Sequence, residues 1–360
     1  MIDLFEPYLI GKMELRNRFV RSATFDATAN DSGAVTDNSV SLYRTLGQGQ
    51  IGLIITGFAF VSSQGQAGPG QYGVHNDDMI PGLKRLVQAV HEGNSKIALQ
   101  IAHSGINSRY LNAKGVIPLA VSAMSESDKP HREMTGEEIE TIVTDFVAAA
   151  IRGREAGFDA IQLHGAHGYL MSQFLSPIFN RRTDKWGGSA EKRRTFHLEI
   201  IQKVHQEIGA DFPLMIKFGV EDDKEGGLTL SESVDTAQQM MHRGIDAIEV
   251  STGSNEITSV IPVIKKGEPE RTYFRKNTAT IKRAVDLPVM IVAGIRSLEV
   301  AKDIVNSGDA DLISMCRPFI REPHLIARWQ RGDAGQATCV SCNKCMHIQA
   351  GGDSLKCKQE

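Results

Sequence analysis

The chain has 360 residues, 41% of them hydrophobic and 23% charged, an ordinary globular balance that excludes disorder over most of its length. Its 40 basic and 43 acidic residues give no sign of a nucleic-acid partner, and no apolar run approaches the ~18 residues a bilayer span needs. The stretch Met1–Tyr8 carries acids and no basic apolar leader, so a cytoplasmic protein is expected.

The first strand-like run is Asn17–Ser22. A helical stretch then leads into Gly47-Gln48-Gly49-Gln50-Ile51-Gly52. This satisfies G-x-G-x-x-G, but a dinucleotide fingerprint follows a strand and opens a helix. Here the order is inverted, so the glycines read as a helix-to-strand turn. Gly52–Thr56 is the second strand, and the Gly-, Gln- and Ser-rich Val61–Gly73 is a loop near a site. Pro81–Glu92 has helical apolar spacing and stops at Gly93. Lys96–Ile101 is the third strand. Thr135-Gly136-Glu137-Glu138 is a capping box whose helix runs to Gly157. Strands at Ala160–His164, Leu214–Phe218, Ala247–Ser251, Val289–Ala293 and Leu312–Cys316 follow, with helices Leu230–Arg243 and Ser297–Ser307 among them.

Most of these strands are aliphatic and β-branched without clean alternation, as expected when both faces are buried. Strand–helix alternation implies a parallel sheet, and eight strands in this length predict a closed (β/α)8 TIM barrel rather than an open doubly wound sheet. No boundary falls before about Gly332. The expected division is a barrel over residues 1–332 and a cysteine-rich tail over 333–360.

In such barrels the chemistry lies at the C-terminal ends of the strands. His164-Gly165-Ala166-His167-Gly168-Tyr169 follows the fourth strand. Two imidazoles three residues apart can converge on a carbonyl oxygen and on the negative charge that develops there. Tyr169, with an unperturbed pKa of ~10, can donate a proton. A structural histidine pair or a metal site is the competing reading. Gln100 offers a two-sided amide for the edge of a heterocycle. Lys217 is a fixed cation that would favour a ring gaining negative charge. Gln100, Lys217 and Glu249 lie in or near apolar runs, where each needs a partner; Lys217 could pair with Glu249 or Asp222. Gly294, after the seventh strand, and Cys316-Arg317, after the eighth, occupy the usual phosphate-binding place of barrels. The tail carries Cys339, Cys342, Cys345 and Cys357 as C-x2-C-x2-C-x11-C. Four thiolates at this spacing suit an iron–sulfur cluster, zinc or an empty vestige.

The stretches Leu15-Arg16-Asn17-Arg18, Gln100-Ile101-Ala102-His103, His164–Tyr169, Phe174-Leu175-Ser176-Pro177, Asn180–Asp184 and Trp186-Gly187-Gly188-Ser189 resemble the old yellow enzyme family of flavin oxidoreductases. The resemblance runs from Leu4 to about Trp329. It implies one FMN at the barrel mouth, NAD(P)H as hydride source and an enone or enoyl substrate. Ala23, Thr24 and Phe58 would then lie beside the flavin, and Gln100 would hold its pyrimidine edge. Lys217 would stand where the family usually has arginine. Gly294, Cys316 and Arg317 would hold the phosphate. His164 and His167 would bind the substrate carbonyl, and Tyr169 would protonate the α-carbon. Phe25 and Ala27 depart from the cysteine and tyrosine common near the flavin.

The tail resembles that of 2,4-dienoyl-CoA reductase and trimethylamine dehydrogenase, where a [4Fe-4S] cluster exchanges electrons with FMN. Those proteins continue into nucleotide-binding domains that this sequence does not contain. Either a partner protein delivers electrons, or the cysteines no longer serve FMN. The reading is therefore an FMN-dependent ene-reductase, expected as a homo-oligomer. A cluster-linked reductase or demethylase and a non-catalytic flavin-binding redox subunit are the alternatives.

Overall fold

Eight apolar runs pair as parallel strands: β1 (Phe19–Arg21), β2 (Leu53–Ile55), β3 (Lys96–Ala102), β4 (Ala160–Gly165), β5 (Leu214–Gly219), β6 (Ala247–Ser251), β7 (Val289–Val292) and β8 (Leu312–Met315). Each pairs with the next, and Ile313 of β8 stands opposite Phe19 of β1, which closes the sheet. The computed structural model describes residues 1–253, 270–346 and 355–359. The tail expected over 333–360 therefore lies partly outside the described residues.

Helices fill each crossover: α1 (Asp37–Gly47), α2 (Ile80–His91), α3 (Gly136–Glu155), α4 (Thr195–Ile208), α5 (Leu230–His242), α6 (Arg275–Ala284) and α7 (Leu298–Asn306). The capping box at Thr135 is present, its hydroxyl accepting from the Glu138 amide. The strands are within one or two residues of their expected bounds. The glycines at 47–52 run from the last residue of α1 to the residue before β2, which confirms the helix-to-strand turn. The fold is a (β/α)8 barrel.

Alternation, hidden in the sequence by two apolar faces, becomes visible inside the barrel. Successive strand residues point to opposite faces. Outward residues such as Leu99, Ile161, Ile216, Ile248 and Ile291 pack under the helices. Inward residues begin apolar, with Val20, Leu53, Ala98, Ala160, Met215, Ala247, Met290 and Leu312 in one cluster. Ile10, Met13 and Leu15 join that cluster from an antiparallel hairpin of Tyr8–Ile10 and Met13–Leu15. This hairpin, not foreseen from the sequence, plugs the N-terminal floor. On six of the eight strands the next inward position toward the C-terminal mouth is polar, namely Ser22, Gln100, Gln162, Lys217, Glu249 and Ser314, all at most 2% exposed, while Ile55 of β2 and Val292 of β7 stay apolar.

Candidate active site

At that mouth lies a cavity of ≈ 380 Å³, lined by Ala23, Thr24, Phe58, Gln100, His164, His167, Tyr169, Lys217, Gly294, Cys316 and Arg317. The fold thus gathers every predicted flavin- and substrate-side residue around one space. Phe25 lines it too, and Ala67 brings the loop Val61–Gly73 to its edge, while Ala27 is not among the lining residues.

The site's inner edge is a hydrogen-bonded network centred on Glu249. Its Oε2 lies 2.8 Å from Lys217 Nζ and accepts from Gln162 Nε2 at 3.0 Å. Its Oε1 accepts from Ser22 Oγ and Ser314 Oγ, each at 2.7 Å. Lys217 Nζ also donates to Ser22 Oγ at 2.8 Å, and Gln100 Nε2 donates to Gln162 Oε1 at 2.7 Å. Of the two partners open to Lys217, the structure selects Glu249. Burial alone would raise the Glu249 pKa; the Lys217 charge and the hydrogen bonds from Lys217, Ser314 and Ser22 outweigh it and hold the carboxyl below its usual range.

The histidines adjoin this network, His164 of β4 standing opposite Lys217 of β5 in the strand register. The ring centroids of His164 and His167 are 5.1 Å apart, and that of Tyr169 is 5.0 Å from His164. His167 has φ 61° and Gly168 φ 73°, a left-handed turn that sharply reverses the chain after β4. Their amides donate to Thr252 O at 3.3 Å and Gly253 O at 3.0 Å, which ties the turn to the end of β6. Burial, then His167 and Lys217, push His164 well below the ordinary imidazole pKa. Burial, then Lys217, pushes His167 down to about 3. Both rings are therefore neutral at pH 7. His167 Nε2 and Ser251 Oγ share a hydrogen bond of 2.8 Å. His164 Nδ1 is buried with no partner among the described residues, so it is a polar atom that a ligand could satisfy. Phe58 packs on this group, 5.2 Å from Tyr169 and 5.8 Å from His164 between ring centroids.

The opposite end is built by the turns after β7 and β8. Ala293 and Gly294 have φ 80° and 89°. A Cβ on Gly294 would stand 1.7 Å from the Arg271 carbonyl. The close neighbour of Gly294 is therefore the protein's own backbone. Cys316 Sγ and Thr24 Oγ1 share a hydrogen bond of 2.9 Å. Arg317 donates to Asn343 Oδ1 at 2.5 Å. A second arginine, not singled out in the sequence, also lines the cavity: Arg296 donates to Cys339 O at 3.2 Å, while its Nε is buried without a partner among the described residues. The residues fit FMN: an amide and a paired cation at one edge, and two arginines with an unsatisfied N–H at the other.

The tail closes over this end. Leu355 donates its amide to Asp26 O at 3.0 Å, and Ser341 and Asn343 line the main cavity. Cys339, Cys342, Cys345 and Cys357 together wall a second, smaller cavity, and Arg317 is common to both. Ser341 and Asn343 have φ 54° and 59°, so this segment coils tightly between the cysteines. Burial pushes the Cys345 thiol up to about 11, with the neighbouring Cys316 and Cys339 adding to the shift. Among the described residues, no three Cys, His, Asp or Glu side chains form a site for a single metal ion. No helix among them is long and apolar enough to cross a membrane.

Barrel and mouth agree with the resemblance of the sequence to the old yellow enzyme family. The chain belongs to the NADH:flavin oxidoreductase / NADH oxidase family, which it matches over residues 3–336. It is 35% identical over 345 residues to an NADH oxidase of Thermoanaerobacter brockii, covering 95% of this chain and 53% of that protein. It is 35% identical over 324 residues to an NADPH dehydrogenase of Bacillus cytotoxicus, covering 90% of each. Among solved structures, 2-naphthoyl-CoA reductase in complex with 2-naphthoyl-CoA superposes with a TM-score of 0.88 at 28% identity, over 95% of this chain and 54% of that one. Old yellow enzyme homologues share the fold. The chain spans about half the length of the first curated relatives it matches.

Proposed function

We propose that the chain reduces an activated alkene conjugated to a carbonyl, with FMN seated between the Gln100–Lys217 edge and the Gly294–Arg296–Arg317 end. The observation that carries this reading is the pairing of two neutral imidazoles, one with an orphaned nitrogen, beside a tyrosine on one wall of the cavity. Bound FMN would supply the hydride chemistry, with NAD(P)H as the source. The protein's part is to hold and polarise the substrate. His164 and His167 donate N–H bonds to the carbonyl oxygen and stabilise the negative charge that grows there when the β-carbon accepts hydride. As neutral donors they lose no proton to that oxygen. Tyr169 O–H delivers the proton to the α-carbon, so hydride and proton together saturate the bond. Phe25 and Phe58 supply an apolar face on which a planar substrate can lie.

Tyr169→Phe tests the reading. General-acid catalysis contributes about 10²–10⁴-fold, so single-turnover oxidation of the reduced enzyme by an enone should slow by that order. Reduction of the flavin by NAD(P)H should stay within about twofold. Wild-type rates in both half-reactions would remove Tyr169 as the donor.

A second reading concerns the tail. Four cysteines wall one cavity, and Arg317 is common to it and to the main cavity. Their C-x2-C-x2-C-x11-C spacing supports a [4Fe-4S] cluster, which Cys339, Cys342, Cys345 and Cys357 would hold and which would supply one-electron chemistry beside the main cavity. Iron and acid-labile sulfide in anaerobically purified protein should each approach four per chain. One zinc per chain, or no metal, would reject the cluster and leave the barrel chemistry untouched.

A further inference from the structure

Glu249 is 0% exposed and Lys217 2% exposed. Neither group sits on the cavity's outer rim, and each needs the other to be tolerable inside the barrel. The strand register puts them side by side, Lys217 of β5 opposite Glu249 of β6. On the other flank, Gln100 of β3 stands opposite Gln162 of β4. Two chains of contact therefore lead from Glu249 to the cavity, one through Lys217 and one through Gln162 to Gln100.

These chains have a direction. An ionised carboxylate only accepts hydrogen bonds. Gln162 must turn its NH₂ to Glu249 Oε2 at 3.0 Å, which leaves its Oε1 for Gln100 Nε2 at 2.7 Å. That contact fixes which way the Gln100 amide faces. The electrostatic consequence is as definite. In the proposed seat Lys217 would face the edge of the ring that gains negative charge on reduction, and its own charge is opposed by a carboxylate oxygen 2.8 Å away.

We propose that Glu249 is a positioning residue for the flavin, one that cancels the Lys217 charge and orients Gln100, and so sets how tightly reduced FMN is held relative to oxidised FMN. The proposal rests on the FMN seat described above. Glu249 touches neither FMN nor substrate; it acts through Lys217 and Gln162.

Glu249→Gln separates charge from geometry. Lys217 can only donate, so the new amide turns its oxygen to it, and Gln162 shares that oxygen as it shares Oε2 now. The new NH₂ then meets Ser22 and Ser314, whose hydroxyls rotate and can accept. The direction of the Gln162–Gln100 contact survives, and only the negative charge is lost.

The test measures the FMN midpoint potential, together with the dissociation constant of oxidised FMN from the reconstituted apoprotein. Glu249→Gln should favour reduced over oxidised FMN by tenfold or more, an upward shift of about 30 mV or more for a two-electron couple. Lys217→Met should shift the ratio the other way. The double variant should return to within threefold of wild type. If Glu249→Gln does not fold, the step from Lys217→Met to the double variant decides, and a rise of tenfold or more is again expected. A smaller change, or equal weakening of both redox states, overturns the proposal by reducing Glu249 to a structural residue. Gln100→Leu separates this from failure of the seat. Should it and Lys217→Met both leave FMN affinity within twofold, the flavin lies elsewhere and the site assignment fails with it.

Discussion

His167 holds a left-handed backbone, φ 61°, without being glycine. Such a conformation costs of order 1–3 kcal/mol and persists only where the surroundings enforce it. Here the end of β6 does so, through its carbonyls at Thr252 and Gly253. The motif His164–Tyr169 was readable in sequence because it is local and follows a strand. What made the two histidines useful was not readable: their neutrality comes from burial and from Lys217. His103 and His197 are likewise buried, and burial pushes each down to about 3. The unfolded chain therefore binds more protons at these four histidines than the folded one below about pH 6.5. Their contribution makes stability fall as pH drops from 6.5 toward 3, by about 1.4 kcal/mol per pH unit for each fully displaced histidine. His197 lies outside the cavity with both ring nitrogens unpartnered among the described residues. His197→Phe should therefore give a shallower dependence of unfolding free energy on pH, by about one proton, between pH 6 and 5. Urea titrations at several pH values measure it; parallel slopes for the two proteins would show that His197 is not buried neutral.

At the scale of elements, the eight strands were legible because parallel strands buried on both faces are continuous aliphatic runs. The polar layer within them was only partly so. Glu249 and Lys217 stood out as charges in apolar surroundings, whereas Gln162 and Ser314 gave no comparable signal. Their roles depend on register between strands far apart in sequence. The N-terminal hairpin was missed for a related reason. Its strands are three residues each and look like loop until the barrel floor supplies something to cover. Ile10 is fully buried in that floor. Ile10→Ala should cost about 2–5 kcal/mol in unfolding free energy. Because the flavin cavity lies at the opposite end of the strands, FMN affinity of the folded protein should change less than twofold. Loss of FMN binding without loss of stability would mean that the floor and the mouth are coupled.

Considered whole, the molecule divides its interior into two ends. One is apolar and closed by the hairpin; the other is polar, open to a ligand and partly roofed by the tail. The tail's cysteines were legible as a spacing, but only the fold shows that Arg317 is common to their cavity and to the flavin cavity. Likewise Arg296, Ser341 and Asn343 enter the site by tertiary packing, with no local pattern to announce them. The account depends above all on how FMN lies in this mouth. A crystal structure of the protein with FMN and an unreactive phenol or ketone tests it directly. We predict a ring whose pyrimidine edge meets Gln100 and Lys217, a phosphate among Gly294, Arg296 and Arg317, and the added oxygen within hydrogen-bond reach of His164 and His167. A flavin bound in another orientation, or an added oxygen held away from both histidines, would contradict it.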